Sequence, residues 1–268
     1  MDHLLTMLDH NIKQEPVRGL LGMGGGIAIS RGATEDAGNF SVFFNGTTSK
    51  SFIRGANNSC WAAGTGDFSV EVFLKADQYN HYLNFVNTRA AAGTTAGWTF
   101  SVESNGTLGF YTNNHTYSTA GSVVDDVWTH VVTTRQSGKL RLFQDGVLRS
   151  SADNTQNFSN QMFVIGINAS GVDSSTAAGW YRGYMSNLRY IVGSVPTDYQ
   201  TSSTTNGTTI FTTPTSSLTT TSQGATASDV QFLGLKDESS ATATDVAGAT
   251  ISKGNHGSDV TVGHAGPF

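Results

Sequence analysis

The chain has 268 residues, with 31 glycines, 4 prolines, only 13% charged residues and a formal net charge of −5. That balance offers no basic stripe to displace counterions from phosphate, which argues against a nucleic-acid partner, and no run approaches the ~20 apolar residues of a membrane span. A Gly-, Ser- and Thr-rich composition suits many short strands joined by polar turns, an all-β class long enough for a sizeable core.

Taken in order, the first segment differs from everything after it. Leu4, Leu5, Leu8 and Ile12 recur at helical spacing and Pro16 ends the pattern, so a short helix that needs a partner surface is predicted, with these four as candidate assembly anchors. Asp2 and Asp9 stand where a secretion signal needs a basic start and an unbroken apolar run; no signal peptide is read and synthesis in a cytoplasm is expected. Gly19 to Gly26, GLLGMGGG, is not followed by Gly-Lys-Ser/Thr, so it reads as a flexible linker rather than a phosphate loop. Ile27 to Ser30 suits an extended segment that pairs with a neighbouring sheet. The expected division is an anchoring arm, 1–37, and a β domain, 38–268.

From Asn39 onward, turn signals at Asn45-Gly46, Gly64-Thr65-Gly66, Asn105-Gly106, Ser137-Gly138 and Asp145-Gly146 punctuate short strands. The clearest stretch is Trp128 to Leu148, WTHVVTTRQSGKLRLFQDGVL, which reads as an antiparallel meander through two tight turns. Its apolar face must lie on a second sheet, with Trp128 and Leu142 expected between the sheets and Arg141 on the opposite face. Cys60 has no second cysteine to bridge and is expected to be a small buried hydrophobe beside Trp61. After Gly193 comes a polar excursion, about 194–229, in which Ile210, Phe211 and Leu218 are occasional anchors. Val230 to Phe268 resumes alternation and is expected to close the same sandwich.

The residues that carry chemistry point to binding rather than catalysis. Asp67 and Glu71 are four apart with no acid between them and Glu103 stands alone, so the closely spaced carboxylate pair of a glycoside hydrolase is missing and these read as turn and exposed-strand residues. The seven histidines form no close pair with a cysteine or carboxylate partner, so no zinc site is read. Sugar rings need an exposed aromatic face and a few amides, and Tyr79, Asn80, Tyr82, Trp98, Asn113, Asn114 and Tyr117 are the glycan-binding candidates.

Several motifs then fall in a familiar order. Phe44-Asn45-Gly46, the strand Phe68-Ser69-Val70-Glu71-Val72-Phe73, Trp128-Thr129-His130-Val131, Leu140-Arg141-Leu142-Phe143-Gln144-Asp145-Gly146, Val164-Ile165-Gly166 and Gly183-Tyr184-Met185-Ser186-Asn187-Leu188-Arg189 together resemble the concanavalin A-like, laminin G-like jelly-roll domains. Gly266-Pro267-Phe268 is similar to the ending of such domains in bacteriophage, especially marine phage, structural proteins. The resemblance implies an antiparallel β-sandwich and a non-enzymatic virion protein, a capsid decoration or a head or tail appendage. Such a protein would be a homo-oligomer, joined to other virion proteins through its arm and presenting the sandwich to a cell-surface glycan. The alternative is a carbohydrate-binding module or adhesin outside a virion, and the third reading is a glucanase-like glycoside hydrolase. No cofactor is expected. Calcium, which many such domains bind at the rim, stays open: both later acids of the family's opening motif are gone, with Thr48 and Ser49 in their places and Lys50 adding a positive charge, but Asp125, Asp126, Asp173 and main-chain carbonyls remain as oxygen donors.

Overall fold

In a computed structural model, residues 39–46, 51–77, 82–89, 96–112, 116–118, 123–168, 179–254 and 259–268 are described. The chain divides into two units, Met1–Thr34 and Glu35–Phe268, and all described residues belong to the second. The anchor candidates Leu4, Leu5, Leu8 and Ile12 lie outside the described residues, as do Ile27 to Ser30.

The strands in chain order are β1 (Phe40–Phe44), β2 (Ile53–Gly55), β3 (Phe68–Ala76), β4 (Leu83–Asn87), β5 (Thr99–Val102), β6 (Leu108–Tyr111), β7 (Thr116–Tyr117) and β8 (Thr129–Gln136). They continue as β9 (Lys139–Gln144), β10 (Val147–Asp153), β11 (Phe163–Ile165), β12 (Gly183–Val192), β13 (Val230–Gly234), β14 (Thr244–Ala247), β15 (Ile251–Lys253) and β16 (Val260–Ala265). One sheet runs β10-β9-β8-β3-β12-β1-β16, with β13 and β14 added beside β12; the other runs β15-β2-β11-β4-β5-β6-β7. The recorded pairings are antiparallel, as in a concanavalin A-like sandwich. The last segment does close it, since β13, β14 and β16 join the first sheet and β15 the second.

Period-2 alternation sets the core. Phe68, Val70, Val72 and Leu74 of β3, Leu140 and Leu142 of β9 and Met185 of β12 meet Leu83, Phe85, Phe100, Val102, Leu108 and Phe110 of the opposing sheet. Both expected hairpin turns form, with Ser137 and Gly138 at φ 50° and 75° and Asp145 and Gly146 at φ 50° and 79°, the left-handed pair that a two-residue hairpin requires. Cys60 is half-buried against this core, and burial pushes its thiol up to about 11, so it is protonated and inert at neutral pH. At one end of the sandwich Arg135 is fully buried. It donates to the carbonyls of Gly64, Gly66 and Gln156 at 2.7, 2.8 and 2.7 Å, with its guanidinium 4.6 Å over the Phe158 ring.

The outer face of the first sheet is apolar in part, and the polar excursion covers that part. Val132, Phe143 and Leu148 pack against Val195, Tyr199 and Phe211, while Ile191 and Leu233 pack against Leu218 and Ala225. Arg141 does point away from Leu142, and beneath this cover it is 4% exposed and donates to the Ser203 carbonyl at 3.0 Å. The excursion also follows β10: Leu148 N–H donates to Thr208 O, Gly207 N–H to Leu148 O and Ile210 N–H to Gly146 O, each at 2.8 Å.

Two expectations are corrected here. Trp128 is half-buried and sits outside the core, because Leu142 pairs with Thr133 and Trp128 lies five positions before Thr133, an odd offset that turns the indole to the outer face. Glu71 is not an exposed strand residue but 1% exposed. Its register partner on β12 is Arg189, whose Nε donates to Glu71 Oε1 at 2.6 Å. His130 Nε2 lies 3.2 Å from Glu71 Oε2, and the Tyr199 hydroxyl of the excursion donates to that oxygen at 2.6 Å.

Candidate functional site

The outer face of the second sheet is polar around β4, β5 and β6, where Asn84, Thr99 and Ser101 are buried. Since Leu83, Phe85, Phe100, Val102 and Phe110 point inward, the alternate residues Asn84, Thr99, Ser101 and Tyr111 form a polar floor facing away from the core. Over it lies a cavity of about 200 Å³ lined by Tyr82, Asn84, Arg89, Thr99, Tyr111 and Asn168. Tyr82 is 56% exposed, an unusual state for so large a ring among the described residues, and its edge meets the Tyr111 ring with centroids 6.2 Å apart at 79°. Asn84 Nδ2 donates to Gly179 O at 2.7 Å. Gly179 has φ +67°, and a Cβ there would fall 1.9 Å from Asn84 Nδ2, so glycine is what allows this approach.

The polar groups are set for a ligand rich in hydroxyls. Thr99 Oγ1 is buried at the cavity floor with no hydrogen-bond partner among the described residues, a state that costs about 1–3 kcal/mol until it is satisfied. Burial lowers the Arg89 guanidinium from its ordinary value but leaves it a cation. Next to the cavity, burial raises the Glu103 carboxyl, opposed by hydrogen bonds from Tyr111 and Ser101.

Of the candidates named from the sequence, Tyr82 is at this cavity. Trp98 is not a binding platform: it is fully buried, stacked on Phe110 at 5.5 Å and on Phe68 at 5.9 Å, because it enters the strand on the inward side of the sandwich. Tyr79, Asn80, Asn113 and Asn114 lie outside the described residues, and so does the side chain of Tyr117. Arg89, Thr99, Tyr111, Asn84 and Asn168 were not anticipated. The alternation around Phe100 and Phe110 marks Thr99 and Tyr111 as outward-facing, but nothing local in sequence brings Asn168 and Gly179 beside Asn84.

A paired-carboxylate mechanism needs two acids within roughly 5–10 Å across one glycosidic bond. Glu71 is sealed on the outer face of the first sheet, while Glu103 bonds Ser101 and Tyr111 on the outer face of the second, so the two flank no common substrate. Among the described residues no three of His, Cys, Asp or Glu converge, and Asp173 lies outside them. Asp126 is 3.0 Å from Lys75 Nζ, a cation that competes for its carboxylate. No helix among the described residues is long and apolar enough to cross a membrane.

The fold is shared with known structures. A candidate carbohydrate-binding protein from Bacteroides ovatus superimposes with a TM-score of 0.57 at 15% identity, over 85% of this chain and 60% of that one. A heptameric SAP-like pentraxin from Limulus polyphemus gives a TM-score of 0.52 at 14% identity, over 87% of this chain and 98% of that one. The chain thus spans less than two thirds of the Bacteroides protein. No curated protein matches the chain. The laminin G-type model described as the concanavalin A-like lectin/glucanases superfamily matches residues 45–191, more than half of the sequence, and the chain belongs to that superfamily.

Proposed function

We propose that the protein is a non-catalytic carbohydrate-binding module whose site is the Tyr82 cavity. The observation that carries this reading is an exposed tyrosine ring beside a polar-floored cavity with an arginine and a buried threonine hydroxyl that has no partner among the described residues. A pyranose presents a C–H face to an aromatic ring and hydroxyls to its surroundings, and those are the two surfaces on offer. The carbohydrate-binding description of the Bacteroides ovatus structure agrees with it. Of the readings drawn from the sequence, this alternative has more support than the virion appendage, which rests on motif order and on Gly266-Pro267-Phe268.

On a glycan array the protein is expected to bind a defined subset of saccharides, and Tyr82→Ala to weaken that binding about tenfold or more. The same change should move stability by less than about 0.5 kcal/mol, because the ring is largely exposed. Wild-type affinity in Tyr82→Ala would remove the cavity from consideration. In parallel, the protein is expected to release no reducing sugar from β-glucans, with Glu103→Gln changing nothing beyond stability. Reproducible hydrolysis that disappears in Glu103→Gln would restore the enzyme reading.

A further inference from the structure

Beyond the excursion, the register lines up a row of partly exposed side chains on the first sheet's outer face. Phe43 of β1 is opposite Tyr184 of β12, and Tyr184 is opposite Lys75 of β3. Leu74 is opposite Thr129, which places Trp128 next in the row beyond Lys75. The rings touch in sequence, with centroids 4.9 Å apart for Phe43 and Tyr184 and 6.5 Å apart for Tyr184 and Trp128. Lys75 Nζ stands 5.9 Å over the Tyr184 ring. Phe43, Tyr184 and Trp128 are all half-buried, each offering part of a ring to the exterior.

Two cavities flank Trp128 and share it as a wall. One, about 250 Å³, lies toward Lys75, Tyr184 and His264. The other, about 280 Å³, lies toward Asp145, Thr213 and Thr215, with His130 in its wall. Each is just below the ~300 Å³ at which pockets for drug-sized ligands begin, the scale of a sugar ring rather than of a larger ligand. His130 is 1% exposed and its Nδ1 has no hydrogen-bond partner among the described residues. The Glu71 carboxylate beside Nε2 can only accept, so a proton of that contact sits on Nε2.

We infer that this groove is a second saccharide site, on the opposite face of the sandwich from Tyr82, which takes an oligosaccharide chain laid across Trp128 with a ring in each cavity. Tyr184 and Trp128 supply the apolar faces. Lys75, Asp145, His264 and the two threonines supply donors and acceptors along the rim, the alternation that a chain of pyranoses presents. The ligand class is shared with the proposed function, but the residues are separate.

The test is a titration of the 15N-labelled 268-residue chain with maltohexaose, cellohexaose, xylohexaose, mannohexaose and chitohexaose, read at the Trp128 indole N–H, which is assigned with Trp128→Phe. At least one hexaose is expected to shift that resonance saturably, and Tyr184→Leu, which keeps bulk but removes the ring, to weaken it about tenfold. Tyr82→Ala should leave the curve within about twofold, since the two sites share no residue. The inference is overturned if no hexaose moves the Trp128 resonance, if Tyr184→Leu leaves the curve unchanged, or if Tyr82→Ala abolishes it. Shifts confined to the neighbours of Tyr82 overturn this second site alone; silence at both faces overturns the glycan-binding reading as well.

Discussion

Replacing Glu71 with alanine is expected to cost about 3–5 kcal/mol, a large share of the ~5–15 kcal/mol that holds a domain together. The loss does not measure the worth of an ion pair. Arg189 is fully buried, 2.5 Å from Glu71 through Nη2, and without the carboxylate its charge is left uncompensated under the excursion. Its remaining partners among the described residues, the carbonyls of Thr219 and Ser222 at 2.7 and 2.9 Å and the Ser222 hydroxyl at 3.1 Å, are neutral. The double change Glu71→Leu with Arg189→Met should therefore recover much of the loss, because it removes both charges and keeps the volume. Denaturant midpoints of the wild type, single and double variants measure this, and a single variant within about 0.5 kcal/mol of wild type would contradict it.

The same carboxylate predicts an acid limb. Burial by itself raises the Glu71 carboxyl, but Arg189, then His130 and Tyr199, outweigh it and hold the group at about 2 against an ordinary 4.5. A folded-state value below the unfolded one contributes stability that is complete above about pH 4.5 and is lost as pH falls toward 2. The shift corresponds to about 3 kcal/mol. Stability of the wild type should fall across that window by more than that of Glu71→Gln, which has no proton to bind.

Trp98→Ala is the second large effect, expected at about 3–5 kcal/mol. The indole has no exposed surface and sits among three rings, stacked on Phe68 and Phe110 and edge-on to Tyr190 at 5.6 Å. Truncation leaves a cavity between two sheets whose backbones are fixed by their ladders, so collapse is limited. Binding by the surviving folded fraction should match that of the wild type. A variant with an unchanged melt and lost glycan binding would return Trp98 to the surface.

Much of the fold was legible because its signals are local. Ser137-Gly138 and Asp145-Gly146 carry their turn chemistry in two residues each, and the excursion announced its anchors as isolated Ile210, Phe211 and Leu218 in a polar run. The facing of Trp128 was readable as well, since a two-residue loop at Ser137-Gly138 fixes the register and hence the parity of every residue before it. The burial of Glu71 was not. A lone acid between Val70 and Val72 looks like a solvent-facing position, and what covers it comes from Tyr199 and Arg189, 128 and 118 residues away. The Tyr82 cavity has the same origin, in strands whose pairing sets Thr99 opposite Tyr111 and Asn84 opposite Ser101, and in a contact from Gly179 that no short window contains.

The hydrogen bonds between the excursion and β10 bear on how copies of the molecule behave toward each other. A sheet ending in a bare apolar strand is a template on which a second chain can add its own strand, and repetition of that step builds polymers. Here the apolar part of β10, Val147 and Leu148, is already paired with residues 207–210, and the rest, Arg149 to Asp153, is polar apart from Ala152. On the second sheet the outermost strands, β15 and β7, are three and two residues long, too short to register an incoming strand. The polar stretch that crosses one face of the sandwich is thereby also a guard against runaway self-association.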